Sequence, residues 1–188
     1  MSLTALIRER RSIRKFNDVP VSQGLVFELL EQAERLYDHA EKVSLRYIYA
    51  GTPDSRNRLV DYMMEPMTAS RLGKLIPDKM LGIFKKRFVD IPAHVIVIAE
   101  TAPDRRRSDQ NYADVCSIIQ NFQLLGWERR LGMLWDTESI IQNEIFFKRI
   151  GIGEGERFVG ILHIGYFDKT PKGRARTLAE KKWTVFQG

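Results

Sequence analysis

His94-Val95-Ile96-Val97-Ile98-Ala99 is an apolar run without a glycine, a proline or a carboxylate, and an extended segment of that kind is buried on both of its faces. Such a strand belongs in the middle of a sheet, so each side of that sheet needs a cover. Helical patterns on both sides of it in sequence can provide one. Upstream, Ser2 can cap a short helix whose Leu3, Leu6 and Ile7 share a face. A second helix after Ser22 groups Leu25, Val26, Leu29, Leu30, Ala33 and Leu36. Residues 53–90 hold two more helical patterns, at 59–64 and 77–88, joined by a Met-rich piece at 63–73. This insertion is a candidate mobile lid, a plain helical pair being the commoner outcome. Downstream, residues 112–131 place Val115, Ile118, Ile119, Phe122 and Leu125 at three- and four-residue steps, which predicts a helix lying inside the molecule or inside an interface.

Three further extended segments flank these helices. Residues 47–50 form a short strand ended by Gly51-Thr52-Pro53-Asp54, residues 131–135 a brief one, and residues 158–167 a long one. After residue 135, Thr137 can cap a helix carrying Ile140, Ile141, Ile145 and Phe146. Helices separate the strands throughout, and no repeat or linker divides the chain. The expectation is one α+β domain over residues 1–188.

With 44% hydrophobic and 29% charged residues in 188, the chain can bury a real core. Thirty Lys and Arg against 24 Asp and Glu leave a formal charge of +6, which favours anionic partners without choosing among a phosphorylated cofactor, a nucleotide and nucleic acid. The single cysteine, Cys116, lies in an apolar helical pattern and cannot make an internal disulfide, so a reducing, cytoplasmic setting is expected. Neither the first 14 residues nor any later run has the uninterrupted apolar length of a signal peptide or a membrane span, and no membrane association is expected.

The densest chemical signal is Arg10-Arg11-Ser12-Ile13-Arg14. In an extended segment, residues 10, 12 and 14 point to one side, bringing two guanidinium forks and a hydroxyl together, while Ile13 faces the core. That set suits a phosphate monoester, each charge-assisted bond being worth about 1.5–3 kcal/mol. A solvated basic stretch after a surface helix is the alternative from these residues alone. Strict alternation turns Arg11 away, which makes it the weakest of the set.

Other signals point elsewhere or nowhere. Gly151-Ile152-Gly153-Glu154-Gly155 follows a helix and precedes a strand, the reverse of a dinucleotide fingerprint, and is a connecting turn. His39, His94 and His163 are isolated and fit no zinc spacing, so no metal is expected. His94 and His163 are strand residues satisfied in the core or at its edge. No nucleophile elbow or phosphate-binding Walker loop occurs, and Lys85-Lys86-Arg87 and Arg105-Arg106-Arg107 are solvated faces.

Arg10-Arg11-Ser12-Ile13-Arg14-Lys15-Phe16, close to the N-terminus and behind one short helix, resembles the opening phosphate-binding motif of the FMN-dependent nitroreductase family. Residues 114–135 resemble that family's long central helix and the turn and strand after it, with Arg130-Leu131-Gly132 where Gly-Leu-Gly is usual. Residues 158–166 resemble its last core strand with a Gly-Tyr ending, and Lys172-Gly173-Arg174-Ala175-Arg176 its second basic cluster. The family's Pro-Ser-x-x-Asn-x-Gln-Pro-Trp segment, which helps hold the flavin ring, is absent. Residues 38–46 stand in its place.

The resemblance implies a three-layer fold, with a central mixed β-sheet flanked by helices and an extended C-terminal segment. It also implies a homodimer with FMN at the interface. Arg10, Arg11, Ser12 and Arg14 would hold the phosphate and ribityl end, joined by Lys172, Arg174 and Arg176. Trp135, Asp136 and Thr137 would fall where backbone N–H groups pass near the flavin's electron-rich edge, although an ordinary N-cap at Thr137 and a core Trp135 explain the side chains equally well. The implied reaction is ping-pong electron transfer, with NAD(P)H giving a hydride to flavin N5 and a nitroaromatic, quinone or similar small acceptor taking electrons from the same face. No obligatory catalytic side chain is then required, because the cofactor carries the hard step. Two other functions remain in view: another redox reaction on the same fold, and a non-catalytic module that sequesters flavin. Nucleic-acid binding is the least favoured reading.

Overall fold

A computed structural model describes residues 2–37, 43–69, 76–173, 175 and 177–186. The expectations for Arg174 and Arg176, for the 38–42 part of the divergent segment and for the 70–73 part of the Met-rich connection lie outside the described residues.

Four strands pair in the order β1-β2-β4-β3, where β1 is Leu45–Ala50, β2 Ala93–Glu100, β3 Leu131–Asp136 and β4 Glu156–Tyr166. All three pairings are antiparallel. The parallel part of the expected mixed sheet is the isolated bridge between Ser12 and Met133. As the apolar run requires, β2 is central, and every residue from Ala93 to Ala99 is buried.

Both faces of the sheet are covered because side chains alternate along β2. Val95, Val97 and Ala99 pack with Leu29 and Ala33 of α2 (Gln23–Arg35) and with Ile118, Ile119 and Phe122 of α5 (Arg105–Glu128). Ile96 and Ile98 face the other way, against Leu59 and Met63 of α3 (Pro53–Ala69), Ile141, and Phe146 of α6 (Glu144–Arg149). The result is a three-layer α+β fold. No helix among the described residues is long and apolar enough to cross a membrane.

Local capping explains where most helices begin. The Ser2 side chain accepts from the Ala5 N–H at the start of α1 (Leu3–Glu9), and Ser22 accepts from Leu25 at the start of α2. Leu36, grouped with the buried face of α2, lies past its end and is exposed. The central helix begins at Arg105 rather than near residue 112, because Asp104 caps it by accepting from the Arg106 N–H. The single helix expected after Thr137 is two pieces, a 3-10 turn (Ser139–Ile141) and α6. The cap is Asn143, not Thr137: its Oδ1 accepts from the Phe146 N–H at 2.9 Å, and its Nδ2 donates to the Ile140 carbonyl at 2.6 Å. The residues 53–90 insertion is α3 and α4 (Asp78–Val89). α3 buries Leu59, Val60, Met63 and Met64 and is therefore part of the lower layer, whereas α4 buries none of its residues fully.

The turn from α5 into β3 places Arg130 at φ 62°, in the left-handed region that glycine favours. Substituting Arg130→Gly should therefore stabilise the protein by about 1 kcal/mol, read as a higher urea midpoint with an unchanged slope. A second test concerns Arg46, which grips the Glu156 carboxylate with Nε and Nη2, the latter at 2.8 Å. With the Gly153 N–H these contacts hold Glu156 down to about 2 against an ordinary 4.5. Because the folded value is the lower one, this stabilisation is complete above the unfolded value and is lost as the pH falls from about 4.5 toward 2. Urea titrations across that window should show a flatter pH dependence for Glu156→Gln than for the parent.

Candidate functional site

The site is built where the residues after α1 lie on the sheet. Gly132 and Gly165 are direct cross-strand partners on β3 and β4. A Cβ at Gly132 would stand 2.6 Å from Ile13 Cγ1, and one at Gly165 would stand 2.8 Å from Phe16 Cδ1. The paired glycines thus leave a bare strip that the segment fills. Ile13 is 1% exposed, and its N–H donates to the Met133 carbonyl at 3.0 Å. Further along, the Asn17 N–H donates to the Tyr166 carbonyl at 2.9 Å and the Asn17 amide to Asp168 at 3.1 Å, tying the segment to the chain leaving β4. Phe167 in that chain stacks on Trp127 of α5, with centroids 5.1 Å apart.

Between these two stretches lies an open cleft of about 1410 Å³. Its cationic lining comes from Arg8, Arg10, Arg11, Arg14 and Lys15 on one side and Lys169 and Lys172 on the other, with Asp168 the acidic residue between them. Ser12 also lines it. The structure therefore brings Arg10, Arg11, Ser12 and Arg14 together with Lys172, which lies far from them in sequence. Arg10 Nη1 donates to Gln123 of α5 at 3.3 Å, which braces the segment from below.

Arg11 departs from the alternation argument. Instead of turning away, it folds over its own backbone, with Nη1 donating to the carbonyls of Arg8 at 2.5 Å and Arg10 at 2.9 Å. Its Nη2 lies 2.8 Å from where a Cβ of Gly173 would stand. The Arg11 Nε is buried and has no partner among the described residues. A buried donor without an acceptor, with its guanidinium close to the backbone at residue 173, fits an anion seated between residue 11 and residue 173. The donor set thus suits a phosphorylated cofactor such as FMN.

Trp135, Asp136 and Thr137 stand at the end of β3, but the first two side chains are directed into the protein. Trp135 Nε1 donates to the Val159 carbonyl at 3.2 Å. Asp136 is buried; its Oδ1 accepts from the Glu138 N–H at 2.9 Å, and its Oδ2 lies 3.2 Å from His163 Nε2. Burial alone would raise the Asp136 carboxyl, but the bonds from His163 and Glu138, with Arg14 nearby, bring it below its usual range. Thr137 is exposed. These residues can offer a ligand backbone and the Thr137 side chain, while the indole and the carboxylate are committed to the fold. Among the described residues no cluster of His, Cys, Asp or Glu could hold a metal ion.

Sequence reasoning left Gln123, Gly173 and the Asp136–His163 contact unassigned. The glycine pair was visible in the sequence only as two separate motifs, with nothing to show that they face each other.

The chain matches the model of the nitroreductase family over residues 7–166. It is 30% identical over 182 residues to YfhC of Bacillus subtilis (strain 168), a protein named as a candidate NAD(P)H nitroreductase. That alignment covers 97% of this chain and 93% of YfhC. The crystal structure of a nitroreductase-like family protein from Bacillus cereus superposes with a TM-score of 0.88 at 36% identity, covering 100% of this chain and 97% of the other. An FMN- and NADPH-dependent nitroreductase, NfnB from Sphigopyxis sp. strain HMH, superposes at 0.75 with 17% identity over 100% of both chains, a likeness of fold alone.

Because Ile13 clamps the segment to the sheet, Ile13→Ala should cost about 2–5 kcal/mol in stability. It should also weaken binding of a phosphate monoester in the cleft. Urea unfolding and calorimetric titration with riboflavin 5′-phosphate check the two effects.

Proposed function

Because the chain belongs to the nitroreductase family, we propose that it is an FMN-dependent NAD(P)H oxidoreductase reducing nitroaromatics, quinones or similar small electron-poor acceptors. One observation carries this reading: the Arg10–Arg14 segment and the stretch around Lys172 line a single cleft, with a buried, unpartnered guanidine nitrogen at Arg11. The cleft residues would hold FMN, which would supply hydride acceptance from NAD(P)H and electron donation to the acceptor.

The chain's own residues bind and orient. Arg10, Arg11, Arg14 and Lys172 meet the phosphate, with the Ser12 hydroxyl beside them. Arg174 and Arg176 belong to the same basic arm by position in sequence. The backbone at residues 135–137 would pass near the electron-rich edge of the ring, with the Thr137 hydroxyl at the surface of that turn and the Glu138 N–H already given to Asp136. No side chain is assigned a proton-transfer step, so no catalytic residue is named.

The active unit is a homodimer in this reading. The cleft is open, and beyond it the extended tail exposes Leu178, Trp183, Val185 and Phe186, apolar area that a second copy of the chain would cover. The 53–90 insertion contributes α4 as the lid, since Met80, Ile83 and Phe84 leave an apolar stripe on its outer side. A lone Cys116 accords with a cytoplasmic setting. The divergent 38–46 segment favours, as the second reading, a different redox reaction on the same cofactor.

The purified protein should be yellow, and its visible flavin absorption should bleach on adding NADH or NADPH. Bound flavin that stays oxidised would instead mark a sequestering protein. Replacing Arg10 and Arg14 together with Ala should weaken FMN binding about a hundredfold or more, from two lost charge-assisted contacts. The Arg105→Ala, Arg106→Ala pair should leave it unchanged. Equal FMN dissociation constants for the two double variants, by fluorescence titration, would remove the phosphate assignment.

A further inference from the structure

Behind the cleft, on the sheet face beneath α3 and α4, three polar side chains form a continuous chain that the proposed reaction does not use. His94 of β2 and His163 of β4 are direct cross-strand partners, both 0% exposed, with their Nδ1 atoms 2.7 Å apart. Nε2 of His163 lies 3.2 Å from Oδ2 of Asp136, and Oδ1 of Asp136 accepts from the Glu138 N–H. At the other end, Nε2 of His94 is buried with no hydrogen-bond partner among the described residues.

Every neighbouring element contributes to the setting. From α3 comes the Arg56 guanidinium, whose Nη1 donates to the carbonyls of Val89 at 3.0 Å and Ile91 at 3.1 Å. From α4 come the Phe88 ring, 5.5 Å from that of His163, and the Phe88 carbonyl on the side of His94. From the basic segment comes Arg14, whose charge reaches Asp136.

The contact geometry admits two proton arrangements. Asp136 is an acceptor, so His163 carries a proton on Nε2. If His163 is neutral, its Nδ1 must accept from Nδ1–H of His94, and His94 is left with a bare, buried Nε2. If His163 is an imidazolium, its Nδ1–H donates to His94, and His94 carries its one proton on Nε2, toward the Phe88 carbonyl. The first arrangement leaves a buried acceptor unsatisfied; the second pairs a cation with a carboxylate and makes the same buried nitrogen, short of a hydrogen-bond partner, a donor. They differ by one proton and by the direction of the bond between the histidines.

We infer that Asp136, His163 and His94 form a one-proton relay that sets the charge at the end of β3, where Asp136 lies. In the change from the first arrangement to the second, a proton bonds to Nε2 of His94, the Nδ1–H bond of His94 breaks, and that proton bonds to Nδ1 of His163. No electron pair leaves the three residues, and their net charge rises from −1 to zero. His94 passes the charge on because burial, then His163 and Arg56, hold its own pKa well below the ordinary histidine value. His163 is thus a positioning residue: it holds Asp136, which holds the Glu138 N–H. The link to the cofactor rests on the function proposed above, but the relay itself does not.

The test uses the FMN-free full-length protein carrying 15N-labelled histidine and His39→Gln, which leaves the two histidines of interest. Imidazole 15N shifts are followed from about pH 8 to about pH 5, where histidines change charge. One shared midpoint is expected, at which His163 becomes an imidazolium and the proton of His94 moves from Nδ1 to Nε2. Separate midpoints, an imidazolium at His94 first, or two histidines unchanged over the whole range would each overturn the relay.

A second measurement tests the coupling to the cleft. His94→Phe removes the acceptor that an Nδ1–H of His163 requires and so disfavours the imidazolium form. At the acid end the parent should bind FMN roughly 3- to 10-fold more tightly than this variant, and above the midpoint the two should converge. FMN's own titration cancels because both proteins see the same ligand. A constant ratio at every pH would overturn the coupling. Failure of the parent to bind FMN at all would refute the proposed function while leaving the FMN-free titration to decide the relay.

Discussion

The close approach of residues 12–16 to the sheet at Gly132 and Gly165 is the constraint from which the site follows. A side chain at either glycine would occupy the space of Ile13 or Phe16. With both absent, the segment lies flat on β3 and β4, Ile13 is fully enclosed, and the Ser12–Met133 bridge fixes the register. Once Ile13 is fixed, the arginines on either side of it have nowhere to go but the cleft edge. An apolar contact thus sets the position of the charges, and the attraction for an anion is a consequence of where that contact puts them.

The same face of the sheet carries both the basic segment and the histidine pair. Most of that face is apolar and packed under α3 and α6, as a buried sheet requires. The polar interruption formed by Asp136, His163 and His94 is tolerated because most of its hydrogen-bonding atoms find one another, leaving the single unsatisfied position at His94 Nε2. It runs from a turn within reach of Arg14's charge to the underside of α4. On the outer layer, α4 exposes Met80, Ile83 and Phe84.

How much of this was legible in the sequence depended on whether a feature is local. The double burial of β2 follows from six consecutive residues, and the caps at Ser2 and Ser22 from two or three. The start of α5 was hidden because Arg105-Arg106-Arg107 breaks the apolar period, while the cap at Asp104 needs no apolar neighbour. Thr137 looked like a cap, but Asn143 bonds both to the turn before it and to the helix after it, and that divides the element in two. The basic segment was readable as a motif, whereas the direction of the Arg11 side chain was not. Alternation governs a regular strand, and this segment makes a single bridge, so its side chains answer to local hydrogen bonds instead. The meeting of His94, His163 and Asp136 depends on the register of three strands, which no local pattern specifies.

At the end of β3 the polar side chains are committed to the fold. Trp135 gives its indole N–H to Val159, and Asp136 gives both carboxylate oxygens to the protein, so neither side chain is available to a substrate. What the turn still presents outward is backbone and the exposed Thr137. Backbone N–H groups do not titrate and are not reoriented by a single substitution. They can stabilise charge appearing on a bound ring system without exchanging a proton with it. In the proposed reading a ring edge would meet such fixed dipoles and a phosphate the guanidinium groups, so the residues that matter most would be those that hold the backbone still.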